Sequence, residues 1–202
     1  MKWNKVLVVL LIPVAVNILS SCCECLESMF FDYTNCSISV EELDNSRLQP
    51  EVSSNKMILK EAFGLRVNVE RKQDLCHQRS TPLFVTSAFA FSCECPPETV
   101  FQPLDSILTI QITTLRDFDD THLSGSDVSE YFSVLLSTEF ISIDEFISNL
   151  RNEVYDLEYD ILKFDLMLMT PPPATGAHQF AVSLELSDGR VLSKSSSIID
   201  LL

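Results

Sequence analysis

Apolar and polar residues alternate cleanly near the C-terminus. Phe180, Val182, Leu184 and Leu186 are interleaved with Gln179, Ala181, Ser183 and Glu185, a period of two with one apolar face. Ser187-Asp188-Gly189-Arg190 supplies turn chemistry, so residues 191–199 are expected to return as a hairpin partner. Ile107 to Thr114 alternates Ile and Leu with Thr and Gln, and residues 57–69 and 83–91 are further β-rich runs. Ile161 to Met169 is more continuously apolar, as a strand covered on both faces requires. Phe30-Phe31-Asp32-Tyr33 reads as a buried first strand rather than an exposed aromatic platform.

One segment departs from this period. Ile143, Phe146, Ile147 and Leu150 recur at helical spacing, with Ser142 placed to cap and Asp144 and Glu145 in the first turn. Residues 127–136 fit a short helix or a strand equally well. Pro171-Pro172-Pro173 imposes an extended connection before the hairpin. These elements predict a mainly β protein: an immunoglobulin-like β-sandwich of about seven strands with one or two short inserted helices.

The first residues follow a different logic. Lys2 and Lys5 precede the apolar run from Val6 to Leu19, which is short for a membrane span and broken by Pro13 and Asn17. That is the layout of a secretory signal. Leu19-Ser20-Ser21-Cys22 resembles the lipobox of bacterial lipoproteins, which implies cleavage before Cys22 and a diacylglycerol on its thiol. The expected organisation is a signal peptide over residues 1–21 and one lipid-anchored domain over 22–202. Each buried methylene contributes about 0.8 kcal/mol, so two or three acyl chains hold stably.

Charge and cysteine content narrow the partners. The chain has 14 basic and 29 acidic residues, a formal net charge of −15 that becomes −17 once Lys2 and Lys5 leave with the signal. Such a body repels phosphate backbones, so no nucleic-acid partner is expected. Lipidation of Cys22 leaves Cys23, Cys25, Cys36, Cys76, Cys93 and Cys95, an even number in an exported, oxidising setting. Disulfides are the favoured reading over metal binding, because zinc sites usually space their cysteines by two or more residues.

Catalytic motifs are sparse. His77, His122 and His178 are in no metal-ligand spacing, and no nucleophile elbow, zinc-protease motif or phosphate loop is found. No cofactor and no enzymatic activity are expected. The acidic loop Asp117-Phe118-Asp119-Asp120-Thr121-His122, with Asp127 and Glu130 beyond it, is the densest set of oxygen ligands. Asp117 and Asp119 form a weak calcium candidate that lacks the glycine and terminal glutamate of an EF-hand, so a solvated loop is preferred. Asp105-Ser106-Ile107 resembles a short O-glycosylation signal, which makes Ser106 a candidate acceptor.

A wider resemblance rests on the early Cys22-Cys23-Glu24-Cys25 and on Ser92-Cys93-Glu94-Cys95-Pro96-Pro97, which follows Ser87-Ala88. An Ile-rich strand, Asp117-Phe118-Asp119, His122-Leu123 and Leu186-Ser187-Asp188-Gly189 complete it. With these, the chain resembles a family of small Bacteroidetes lipoproteins of unknown function. The resemblance implies an outer-membrane address and a mostly β body, and supplies no activity. It also implies that Cys23 and Cys25 bond to Cys93 and Cys95, and Cys36 to Cys76. Alternate residues of an extended segment face one way, so two Cys-x-Cys segments can pair twice. The functional expectation is a non-catalytic cell-envelope binding or accessory module, facing an unknown envelope protein or glycan. The alternative is a glycan-acting hydrolase or lyase on a β-sandwich.

Overall fold

The computed structural model describes residues 29–73, 99–152 and 161–202. Contacts divide the chain into two units, residues 1–30 with 80–100 and residues 31–79 with 101–202; nearly all described residues belong to the second. That unit is mainly β and built of antiparallel sheets, with the character of a β-sandwich.

The largest sheet is built around β1 (Met29–Asp44), β4 (Phe63–Gln73) and β9 (Ile161–Leu168), which lie side by side in antiparallel register. β2 (Glu51–Val52) and β5 (Thr99–Pro103) pair with β1, while β7 (Phe132–Leu136) and β8 (Glu139–Ile141) extend the sheet beyond β9. A second sheet runs β12 (Val191–Ser195), β11 (Phe180–Leu186), β6 (Ile107–Thr114). A third joins β10 (Gly176–His178), β13 (Ile199–Leu201) and β3 (Met57–Ile58), the last pair being parallel.

Alternation explains the core. Leu65, Val67 and Val69 of β4 turn inward and are fully buried, while Arg66, Asn68 and Glu70 between them meet polar partners or solvent. Leu162, Phe164, Leu166 and Leu168 do the same on β9; Ile110, Ile112, Phe180, Val182, Leu184 and Leu186 answer from the second sheet. All belong to one apolar cluster, so the sheets share a core. Burying a Leu, Val or Phe side chain contributes about 1.5–3 kcal/mol, and the cluster is the dominant cohesive term. On the polar face, Arg66 donates to both oxygens of Asp165 at 2.7 Å, a planar two-point pair.

Several sequence expectations acquire detail. The helix α1 covers Ile143–Asn152, capped by Ser142, whose hydroxyl accepts from the Glu145 amide at 3.1 Å. Its buried residues Phe146 and Ile147 pack against β6 and β7, and Phe146 meets the Phe164 ring at 4.9 Å. Residues 127–136 divide into a 3-10 turn at Ser129–Tyr131 and strand β7. The run over 57–69 is broken by a second 3-10 turn at Lys60–Ala62. The predicted return over 191–199 stops at Ser195, and Ile199 crosses into the third sheet. The Ser187–Arg190 turn forms as read, with Gly189 at φ 86° where a side chain would be strained. The run over 83–91 lies outside the described residues.

Gly64 opposes Met167 across the β4–β9 pair, and a Cβ there would stand 2.7 Å from the Met167 sulfur and 3.0 Å from the Leu166 carbonyl oxygen. Gly64→Ala is therefore expected to cost about 1–3 kcal/mol by overpacking, read as a lowered midpoint in urea with an unchanged slope.

Candidate functional site

A clamp made of side chains far apart in sequence holds β1 to two turns. Asp105 follows β5 and is 1% exposed. Its carboxylate accepts the Asn35 backbone amide at 3.0 and 3.1 Å, the Asn35 side-chain amide at 3.0 Å, and the Arg190 guanidinium. Arg190 also donates to the Asn35 carbonyl at 3.1 Å and to Asp188 at 2.6 Å. Burial pushes the Asp105 carboxyl up, against the opposing pull of the Asn35 amide and the Arg190 charge. The Asp105 side chain is thus fully engaged, and in the half-buried Ser106 beside it the amide donates to the Ser187 hydroxyl at 3.0 Å and the carbonyl accepts the Ser187 amide at 2.8 Å.

Cys36 is the extra residue of a β-bulge in β1, where pairing with β4 slips between Asn35 and Ser37. Its sulfur lies 3.4 Å from the Thr34 carbonyl oxygen. Cys22, Cys23, Cys25, Cys76, Cys93 and Cys95 lie outside the described residues, as does the segment 1–21 expected to be a signal. The described residues contain no helix long and apolar enough to cross a membrane.

The acidic loop folds on itself. Asp119 accepts the amides of Thr121 and His122 at 2.7 Å each, the Thr121 hydroxyl at 2.7 Å, and the His122 Nδ1–H at 3.0 Å. These donors, the Thr121 hydroxyl foremost, hold the Asp119 carboxyl well below the usual carboxylate range. Asp117 accepts the Ser124 amide at 2.9 Å. The two calcium candidates are each used in loop closure, and among the described residues no three metal-ligating acids, cysteines or histidines converge.

Asp119 leaves the other face of His122 toward Glu130, whose carboxylate is 3.9 Å from Nε2, and the Tyr131 hydroxyl, 3.5 Å away. Burial first, then the Glu130 and Asp119 charges, push the Tyr131 phenol up. Phe118 stacks on Tyr131 at 5.1 Å and meets Phe180 edge-on, tying this loop to the core.

Glu130 also borders a cleft of about 290 Å³. One side is formed by Ser129, Glu130, Phe132 and Ser133, the other by Ser142, Ile143 and Asp144, with Ile110 of β6 completing the lining. Three hydroxyls and two carboxylates thus share a surface with apolar side chains, the mixture a small polar ligand requires. Ser129 is anchored by Asp127 at 2.6 Å and accepts the Ile112 amide at 2.7 Å; Ser142 is committed to the helix cap.

A family model described as a domain of unknown function (DUF5034) matches residues 35–197. The chain belongs to the DUF5034 family. The match spans β1 through the loop after β12 and so contains the clamp, the acidic loop and the cleft of this DUF5034 domain. No curated protein and no solved structure matches the chain.

In the sequence Glu130 belongs to an acidic run and Asp144 to a helix start, and no linear pattern joins them. The signal was present in pieces, since Ser142 locates the helix start and residues 127–136 were ambiguous. Asn35, Asp105 and Arg190 carry no linear signal of a unit: Asp105 stands beside a modification motif and Arg190 in a turn.

Proposed function

We propose that this DUF5034 protein is a lipid-anchored cell-envelope module that binds a small polar group of an envelope glycan or protein, without catalysis. The observation that carries the binding reading is the cleft beside Glu130 and Asp144, with hydroxyl, carboxylate and apolar side chains on one surface. The address rests on the sequence: Lys2 and Lys5, the apolar run 6–19 and Leu19-Ser20-Ser21-Cys22, which assign residues 1–21 to a signal and Cys22 to the lipid. An outer-membrane location follows from the resemblance. Disulfide stapling belongs to the same reading and rests on the even number of cysteines left after lipidation of Cys22 in an exported setting.

Two measurements test the proposal. Cys22→Ala is expected to move the protein from the membrane to the soluble fraction of lysed cells; full retention in the membrane would overturn the anchor. Purified protein is expected to retain envelope glycan fragments, and Ser133→Trp, which fills the cleft, to abolish retention. Equal retention by that variant would remove the cleft from the argument.

A second reading is favoured by one feature, the presence of Glu130 and Asp144 on the same cleft, since glycoside hydrolysis uses two carboxyls across a groove. It requires release of new reducing ends from envelope glycan, lost in both Glu130→Gln and Asp144→Asn. Binding without such release supports the first reading.

A further inference from the structure

His178 ends β10 and is 5% exposed. Its ring lies parallel to Phe180 with centroids 6.3 Å apart and meets Phe118 edge-on at 6.1 Å. The Nδ1 atom is buried without a hydrogen-bond partner. Across the sheet it opposes the apolar Ile199 of β13. Burial, and secondarily the like charge of Arg116 on the loop after β6, press the ring toward its neutral form.

The contrast with His122 is instructive. Both imidazoles flank Phe118, yet His122 has the Asp119 carboxylate at 3.0 Å to receive an imidazolium. The groups around His178 are Phe118, Phe180, Ile199 and the cationic Arg116; Asp119, Glu130 and the Tyr131 hydroxyl are grouped around His122 instead. A second proton on His178 would therefore place a positive charge and an orphan donor among rings and beside a like charge.

We propose that His178 is an acid-sensitive latch on the loop that brings Glu130 to the cleft. Phe118 is the coupling element. It packs on His178 on one side and stacks on Tyr131 on the other, and Tyr131 lies between two cleft residues, Glu130 and Phe132. Protonation of His178 is relieved by moving Phe118 off the ring, which loosens residues 115–131 and shifts one wall of the cleft. The device would act whatever fills the cleft.

Amide hydrogen exchange of the full chain in detergent tests it, with rates normalised to the intrinsic exchange at each pH. Peptides covering residues 115–131 are expected to lose protection as the pH falls from neutral toward 5, while those from β4 and β11 keep theirs. His178→Phe should abolish the loss and His122→Gln should retain it. Should the phenylalanine variant misfold, His178→Gln provides the same non-titrating side chain position with a smaller packing change. Protection unchanged with pH in the wild type would overturn the latch. So would a loss that persists in the His178 variants, or one that disappears with His122→Gln.

Discussion

Phe180→Ala is expected to destabilise the protein by about 3–5 kcal/mol, among the largest costs of any single core truncation here. Phe180 is fully buried and touches rings from both sides of the sandwich: Phe63 at 5.5 Å and Phe132 at 5.6 Å from the large sheet, Phe118 at 6.4 Å from the acidic loop, and His178 at 6.3 Å from the third sheet. Its removal opens a cavity where these elements meet. For a domain of this size each kcal/mol lowers the melting temperature by about 2–4 °C, so calorimetry should record a fall of roughly 6–20 °C. Single-transition melting in both proteins would show that the sheets unfold together. A variant that melts within a degree or two of the wild type would mean that the sheets are not held by a common core.

Asp105→Ala should cost a comparable amount, about 3–4 kcal/mol, by a different mechanism. The substitution strands the buried backbone amide of Asn35, takes one acceptor from its side-chain amide and removes the carboxylate facing the part-exposed Arg190. Asp105→Asn retains an acceptor and should be milder. The pH dependence has a definite sign. Burial raises the Asp105 carboxyl above its unfolded value, so the folded state takes up the proton more readily than the unfolded one. Acidification through the carboxylate range therefore eases this site instead of breaking it, and the charged form is the costly one at neutral pH. Stability of the wild type and Asp105→Asn, compared by urea denaturation, should diverge as the pH falls toward 4, the wild type gaining on the variant. A gap that narrows on acidification would show that Arg190 outweighs desolvation.

The clamp and the acidic loop differ in how they arise. The loop is local: Asp119 bonds residues two and three positions away, a geometry that Asp followed by Thr-His can adopt by itself. The clamp joins residues separated by 70 and 85 positions, and no local pattern announces it.

The same distinction runs through the molecule. Sequence alone specified the elements with a local signal: β6, β11, the turn at Gly189, and α1 with its Ser142 cap; β9, expected to be covered on both faces, instead alternates, with Ile161 and Lys163 exposed. The proposed signal and anchor cysteine rest on linear patterns of the same kind. Only the tertiary structure decided where β12 ends and Ile199 crosses to another sheet, because edge pairing depends on which neighbour is free, not on the residues alone. It decided that residues 127–136 turn once before extending, since the Ile112 amide takes the Ser129 hydroxyl and fixes that turn. It decided, finally, that Glu130 and Asp144 border one cleft while Asp105 is sealed within a clamp. Carboxylates look alike in a sequence; the distance to Arg190, to water or to an opposing helix is what separates a buried staple from a binding surface.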